Sequence, residues 1–167
     1  MGAVFAAPGL SSEPSKILYK PYESWTTLSD WEASLPAGED ATLVAIGGIA
    51  PVYGEDEGSQ GLTGSGSVVV ATDRGFVRFF TGAGLQKYVW NVGEEIVTMA
   101  GGKDWAIIVH RANGAGAGLE YALIDTDSFE VVQAGKVPLA KGVSLKWIGF
   151  TDDNVSPPSR YGSLDRY

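Results

Sequence analysis

Short apolar runs bounded by turn residues follow one another along the chain, the pattern of successive β-strands. The clearest case is a hairpin. Ser67-Val-Val-Val-Ala-Thr72 is rich in β-branched residues, Asp73-Arg74-Gly75 supplies a turn in which Gly75 takes a positive φ, and Phe76-Val-Arg-Phe-Phe80 returns. Thr81-Gly-Ala-Gly84 then turns the chain into Leu85-Gln-Lys-Tyr-Val-Trp90. With residues 42–47 in front, this makes four consecutive short strands.

The same order restarts after Gly93. Ile96-Val-Thr-Met-Ala100, Trp105-Ala-Ile-Ile-Val-His110, Leu119-Glu-Tyr-Ala-Leu-Ile124 and Phe129-Glu-Val-Val-Gln133 stand in the four places, and Asp125-Thr-Asp-Ser128 stands where residues 81–84 stood. A third opening strand is expected at Leu145-Lys-Trp-Ile-Gly-Phe150. The openings Leu43-Val-Ala-Ile-Gly47, Ile96 to Ala100 and Leu145 to Gly149 share a size pattern at offsets of 53 and 49 residues, near the roughly 40–50 residues of a four-stranded propeller blade. A β-sandwich does not require such a restart. The expected fold is therefore all-β, built of β-propeller blades of four antiparallel strands. Two full blades, about 42–92 and 96–138, are flanked by partial ones. Lys16-Ile-Leu-Tyr-Lys-Pro-Tyr22 reads as a strand ended by Pro21, and Ser29-Asp-Trp-Glu-Ala-Ser-Leu35 as another before Pro36. Residues 1–15, rich in Ala, Ser, Gly and Pro, read as a flexible lead-in to a partial propeller domain over 16–167.

Composition narrows the function. The 23 glycines and 8 prolines against 19% charged residues fit short elements and tight turns, and helices are expected to be scarce. Twelve Lys and Arg against 20 Asp and Glu give a net charge of −8. None of the basic residues form a run, so direct binding to nucleic-acid phosphates is not expected. The absence of cysteine removes disulfides, thiolate nucleophiles and Cys-ligated zinc, and suits a reducing compartment. Residues 1–8 lack the basic start of a secretory signal and no apolar run approaches the roughly 18 residues of a membrane span, so a soluble intracellular protein is expected.

Candidate chemistry is sparse. His110 is the single histidine, which excludes a histidine-based triad or a multi-histidine metal site within one chain; it ends an apolar strand and reads as structural. Glu55-Asp-Glu57 and Asp152-Asp153 match no calcium-loop spacing and read as solvated loops. Gly64-Ser-Gly-Ser-Val-Val69 and Gly114-Ala-Gly-Ala-Gly118 look like phosphate loops, but each opens onto another β-pattern instead of a helix. Trp25, Trp31, Trp90, Trp105 and Trp147 read mainly as core packing, with one or two available for a subunit contact. Arg78, Arg111, Lys136, Lys141 and Lys146 are scattered singly, as on a solvated face. No catalytic, cofactor or metal residue is assigned, no cofactor is expected, and the partner-binding residues are left open.

Four segments also resemble a known family: residues 25–36 (Trp-Thr-Thr-Leu-Ser-Asp-Trp-Glu-Ala-Ser-Leu-Pro), 70–86, 96–101 and 145–150 look, in order, like the second, SepB-type propeller of the eukaryotic replisome hub, the chromosome transmission fidelity factor of yeasts and acidic nucleoplasmic DNA-binding protein of animals. The similarity runs over about 16–150. It implies a nuclear, WD-repeat-related, non-catalytic scaffold from a homotrimeric adaptor that links the replicative helicase to DNA polymerase α in DNA replication, through regions largely outside this chain. The family's WD40 propeller, helical client-binding domain and HMG box have no counterpart here. Residues 51–66 form an acidic, Gly-rich insertion, and the tail 156–167 matches raggedly. The alternative is a small propeller-type lectin or other ligand-binding β protein; an enzyme on a propeller is a weaker third. Two blades cannot close a ring, so self-association is expected, with a trimer of two-blade pieces as its closed form.

Overall fold

In the computed structural model of the chain, residues 2–22, 30–47, 67–113, 118–140 and 142–151 are described. They hold eleven strands and no helix: β1 (Gly2–Ala7), β2 (Lys16–Pro21), β3 (Trp31–Ser34), β4 (Ala41–Gly47), β5 (Ser67–Thr72), β6 (Phe76–Thr81), β7 (Gln86–Asn91), β8 (Ile96–Gly101), β9 (Trp105–Arg111), β10 (Leu119–Asp125) and β11 (Val131–Lys136). All pairings are antiparallel. Three meandering sheets result, β1-β2-β3, β4-β5-β6-β7 and β8-β9-β10-β11.

The β5–β6 hairpin forms as its turn chemistry requires. Gly75 sits at φ 73°, its N–H donates to the Thr72 carbonyl at 3.1 Å, and the Phe76 N–H donates to the Thr72 hydroxyl at 3.3 Å. A Cβ on Gly75 would also approach the Glu94 backbone at 3.1–3.2 Å, so the glycine serves both the turn and the neighbouring loop.

The sheets stack face to face. Alternation along β5 sends Val68 and Val70 to one side, where they meet Ile17, Tyr19, Leu35 and Phe80 between the first and second sheets. Val69 and Ala71 go to the other side and meet Phe79, Ile108, Ala122 and Ile124 between the second and third. Strands β5 and β6 of the middle sheet are thus sealed on both faces, which is why β5 reads as an unbroken apolar run. At the inner ends of β4 and β8 the backbones touch: a Cβ on Gly47 would meet the Gly102 carbonyl oxygen at 2.9 Å, and one on Gly101 would collide with the Ile46 carbonyl.

The repeat is visible in the ladders. Thr42 is an extra residue in β4 opposite β5, and Val97 is an extra residue in β8 opposite β9. The bulge keeps Ile96 and Met99 on one face despite their odd spacing. Equivalence of Thr42 with Val97 replaces the sequence alignment of Leu43 with Ile96.

Three expectations are corrected. Residues 1–15 do not all form an unstructured lead-in, because Gly2–Ala7 pairs along its whole length with β2. The fourth strand of the third sheet begins at Val131 and not at Phe129, which occupies the turn. Residues 145–150 form no strand, since no described residue pairs with them; Phe150 instead lies over Gly102.

Candidate interaction surface

β7 ends the middle sheet and β11 ends the third, so a crevice runs between the two outer strands. Alternation on β7 turns Tyr88 and Trp90 to the same side, toward the third sheet. Tyr88 is stacked on Phe129, with ring centroids 5.0 Å apart and planes 17° apart, and Phe79 closes the cluster at 5.6 Å from Phe129 and 6.0 Å from Tyr88. Phe129 reaches this place from an unusual backbone, φ 61°, in the β10–β11 turn. Its N–H donates to the Asp125 carbonyl at 3.0 Å, and the Asp125 N–H donates to the Glu130 carbonyl at 3.0 Å. Asp125 Oδ1 accepts from the amides of Ser128 (2.8 Å) and Asp127 (2.9 Å). The Ser128 amide above all, against a smaller opposing effect of burial, holds the Asp125 carboxyl below its usual range.

The other half of the crevice, in front of Trp90, is open. A depression of about 520 Å³ lies there. Its floor includes the small side chains Ala122 and Ala134, cross-strand partners on β10 and β11. Beside them a row crosses the sheet through His110, Glu120 and Lys136. The His110 ring meets Trp90 edge-on at 6.5 Å, and its Nδ1 lies 2.9 Å from the Arg111 carbonyl oxygen, which accepts from it. Glu120 and Lys136 make no ion pair among the described residues.

The opposite face of the middle sheet is latched by charge. Arg78, expected on a solvated face, is instead buried in the centre of β6, and its Nε and Nη2 donate to the two carboxylate oxygens of Glu39 at 2.7 Å each. Nη1 donates to Gln86 Oε1 at 3.1 Å, and the guanidinium lies 5.7 Å from the Phe76 ring centre. Glu39, in the β3–β4 connection, is itself buried, so the bidentate pair fastens that connection to the sheet. Around it the Gly9 amide donates to Asp40 Oδ1 at 2.7 Å. Buried Ser15 donates from Oγ to the Ala7 carbonyl at 2.8 Å and accepts from the Ala41 amide at 3.1 Å. Trp31 completes the joint: it stacks between Tyr19 and Phe80 at 5.7 and 5.8 Å and donates from Nε1 to the Gly82 carbonyl at 2.9 Å.

The remaining sequence candidates divide simply. Trp25, the acidic clusters at 55–57 and 152–153, Lys141 and both glycine-rich loops, apart from Ser67–Val69 and Gly118, lie outside the described residues. Trp31 and Trp90 pack against the cores as expected, whereas Trp147 is 75% exposed. Arg111 pairs with Glu95 at 2.6 Å on the surface. Among the described residues no group of three or more His, Asp or Glu side chains is placed to hold a metal. The arrangement suits holding, with an apolar crevice, stacked rings and a buried latch. Sequence reading missed the Arg78–Glu39 pair and the place of Phe129. The available signal for the first was a charge in the middle of Phe76-Val-Arg-Phe-Phe80.

Comparison with known proteins gives one consistent result. Residues 1–165 match the family described as minichromosome loss protein, Mcl1, middle region. The protein ENHANCER OF LHP1 1 of Arabidopsis thaliana is 28% identical over 171 residues, covering 99% of this chain and 15% of its own length. WD repeat and HMG-box DNA-binding protein 1 of Homo sapiens is 26% identical over 146 residues, covering 84% of this chain and 11% of its own. Minichromosome loss protein 1 of Schizosaccharomyces pombe is 27% identical over 168 residues, covering 97% and 18%. The chain thus spans less than a fifth of the length of these relatives.

Proposed function

The chain belongs to the family of the middle region of the minichromosome loss protein Mcl1, and on that footing we propose that it is a non-catalytic, partial-propeller segment of a nuclear scaffold in DNA replication. The observation that carries this reading is the coincidence of a family match over 1–165 with stacked four-stranded antiparallel sheets. Each sheet is a blade, the three-stranded first one partial, and the domain takes in β1 together with the two four-stranded blades. The segment self-associates or is held within a larger assembly, with a homotrimer as the proposed form. In the whole protein the adaptor joins the replicative helicase to DNA polymerase α, through surfaces largely beyond this segment. The apolar crevice and the buried latch support a holding role over a chemical one.

The test has two arms. Light scattering of the full chain at high micromolar concentration should give a mass above one protomer. Capture experiments with helicase and polymerase α peptides, run beside a glycan array, should separate the scaffold from a propeller-type lectin. A monomer that retains glycans and none of the replication peptides would reverse the reading.

A further inference from the structure

The crevice between β7 and β11 has two aromatic stations on one strand, two residues apart, and only one of them is filled. At Tyr88 the chain's own Phe129 ring is inserted and stacked. At Trp90 there is an open depression with alanines on its floor, because residues 122 and 134 carry nothing larger than a methyl group. The filled station therefore shows what kind of side chain the crevice holds: an aromatic ring lying on the β7 aromatic, brought in from the side of the third sheet. From this we propose that the Trp90 station is a docking site for an extended peptide of another protein that inserts an aromatic side chain and carries a basic residue beside it.

Three features fix the partner's chemistry. The ring is demanded by Trp90 and by the Phe129 precedent, and aromatic pairs gain beyond their buried area. The extended form follows from β11, whose outer edge is unpaired among the described residues, so an added strand continues the ladder while alternate side chains enter the crevice. The basic residue follows from charge: Glu120 lines the depression and makes no ion pair among the described residues, and the chain carries −8 overall, which attracts cationic segments. Lys136, beside it, donates to a peptide carbonyl. The site rests on the crevice alone and holds whichever assembly the scaffold serves.

The test is a nuclear magnetic resonance titration of the full chain, ¹⁵N-labelled, with acetyl-Lys-Val-Phe-Val-Lys-amide, which places Lys, Phe and Lys on one side of an extended backbone. The expected result is saturable shifts at the Trp90 indole N–H and the Ala122 and Ala134 amides. Replacing the peptide's Phe by Ala should weaken binding at least tenfold. Trp90→Ala should do the same, and Ala134→Leu, which fills the floor without removing a core ring, keeps the test valid where Trp90→Ala fails to fold. Glu120→Lys should lose affinity for this peptide several-fold and gain it for the Glu-Val-Phe-Val-Glu version. Absent shifts, shifts outside the crevice, or affinities indifferent to the Phe or to Glu120→Lys overturn the proposal. So do concentration-dependent shifts at Trp90 without peptide, which would make a second copy of the chain the occupant.

Discussion

The second and third sheets share strand order, ladder bulges and hairpin plan, yet they differ in how they are held. Strands β5 and β6 of the second sheet are buried along nearly their whole length, because neighbours cover both faces. In the third sheet the equivalent strands β9 and β10 mix buried residues with half-buried ones, and only the last residue of β9 is exposed. The strand sequences alone do not produce this difference, since Ala106-Ile-Ile-Val109 on β9 is as apolar as Val68-Val-Val-Ala71 on β5. What differs is the number of described sheets stacked against each, two for the second and one for the third, so sealing is a property of the stack and not of the strand.

Substitutions sharpen the contrast. Phe79→Ala opens a cavity in the sealed interface and should cost about 3–5 kcal/mol in urea unfolding, whereas Ile107→Ala, on the far side of the third sheet, should cost under about 2 kcal/mol. Equal costs would abolish the distinction. Glu39→Ala strands Arg78 without its partner in the other interface and should also cost about 3 kcal/mol or more, with Glu39→Ala/Arg78→Met recovering much of it. A cost below 1 kcal/mol would mean the latch is solvated.

The two turns compare next. Gly84, at φ 85°, and Phe129, at φ 61°, fill the same left-handed place in the β6–β7 and β10–β11 hairpins. Gly84→Ala adds strain and presses a methyl group against the Trp31 ring, and should cost about 1–2 kcal/mol. Phe129→Gly relieves strain but gives up the stack on Tyr88; a net loss of about 1 kcal/mol is expected, and a net gain would show that the ring adds nothing. The smallest effect is on pH. Because the folded Asp125 carboxyl titrates below its unfolded value near 4, its contribution is complete above that value and disappears as pH falls through the folded one. The urea midpoint should therefore drop more steeply below about pH 4 in the parent than in Asp125→Asn.

Much of this architecture was legible because turn chemistry is local. Asp73-Arg74-Gly75 fixed one hairpin, and β-branched runs fixed the strands around it. The failures were cases where a partner far along the chain decides. Gly2–Ala7 has too little side chain to signal a strand and becomes one through β2. Phe129 looks like the start of a strand but is drawn out of the ladder by Tyr88 and Phe79. Residues 145–150 have strand composition and no described strand to pair with. Arg78 carries a charge that only Glu39, in a separate connection, makes tolerable. The crevice was not legible at all, since it exists only between two sheets whose small residues, Ala122 and Ala134, carry no functional signature.

The left-handed Phe129 also bears on the order in which the fold assembles. The β6–β7 hairpin closes over a glycine and needs nothing from elsewhere, so it forms on the timescale of local structure. The β10–β11 turn must hold a bulky residue in a conformation it resists until rings on β6 and β7 receive it. Its closure therefore waits for the second and third sheets to meet, which makes β11 a late-docking strand. Its amides should exchange with solvent deuterium ahead of those of β5 and β6, and Phe129→Gly should bring β11 pairing forward in refolding even as it lowers final stability.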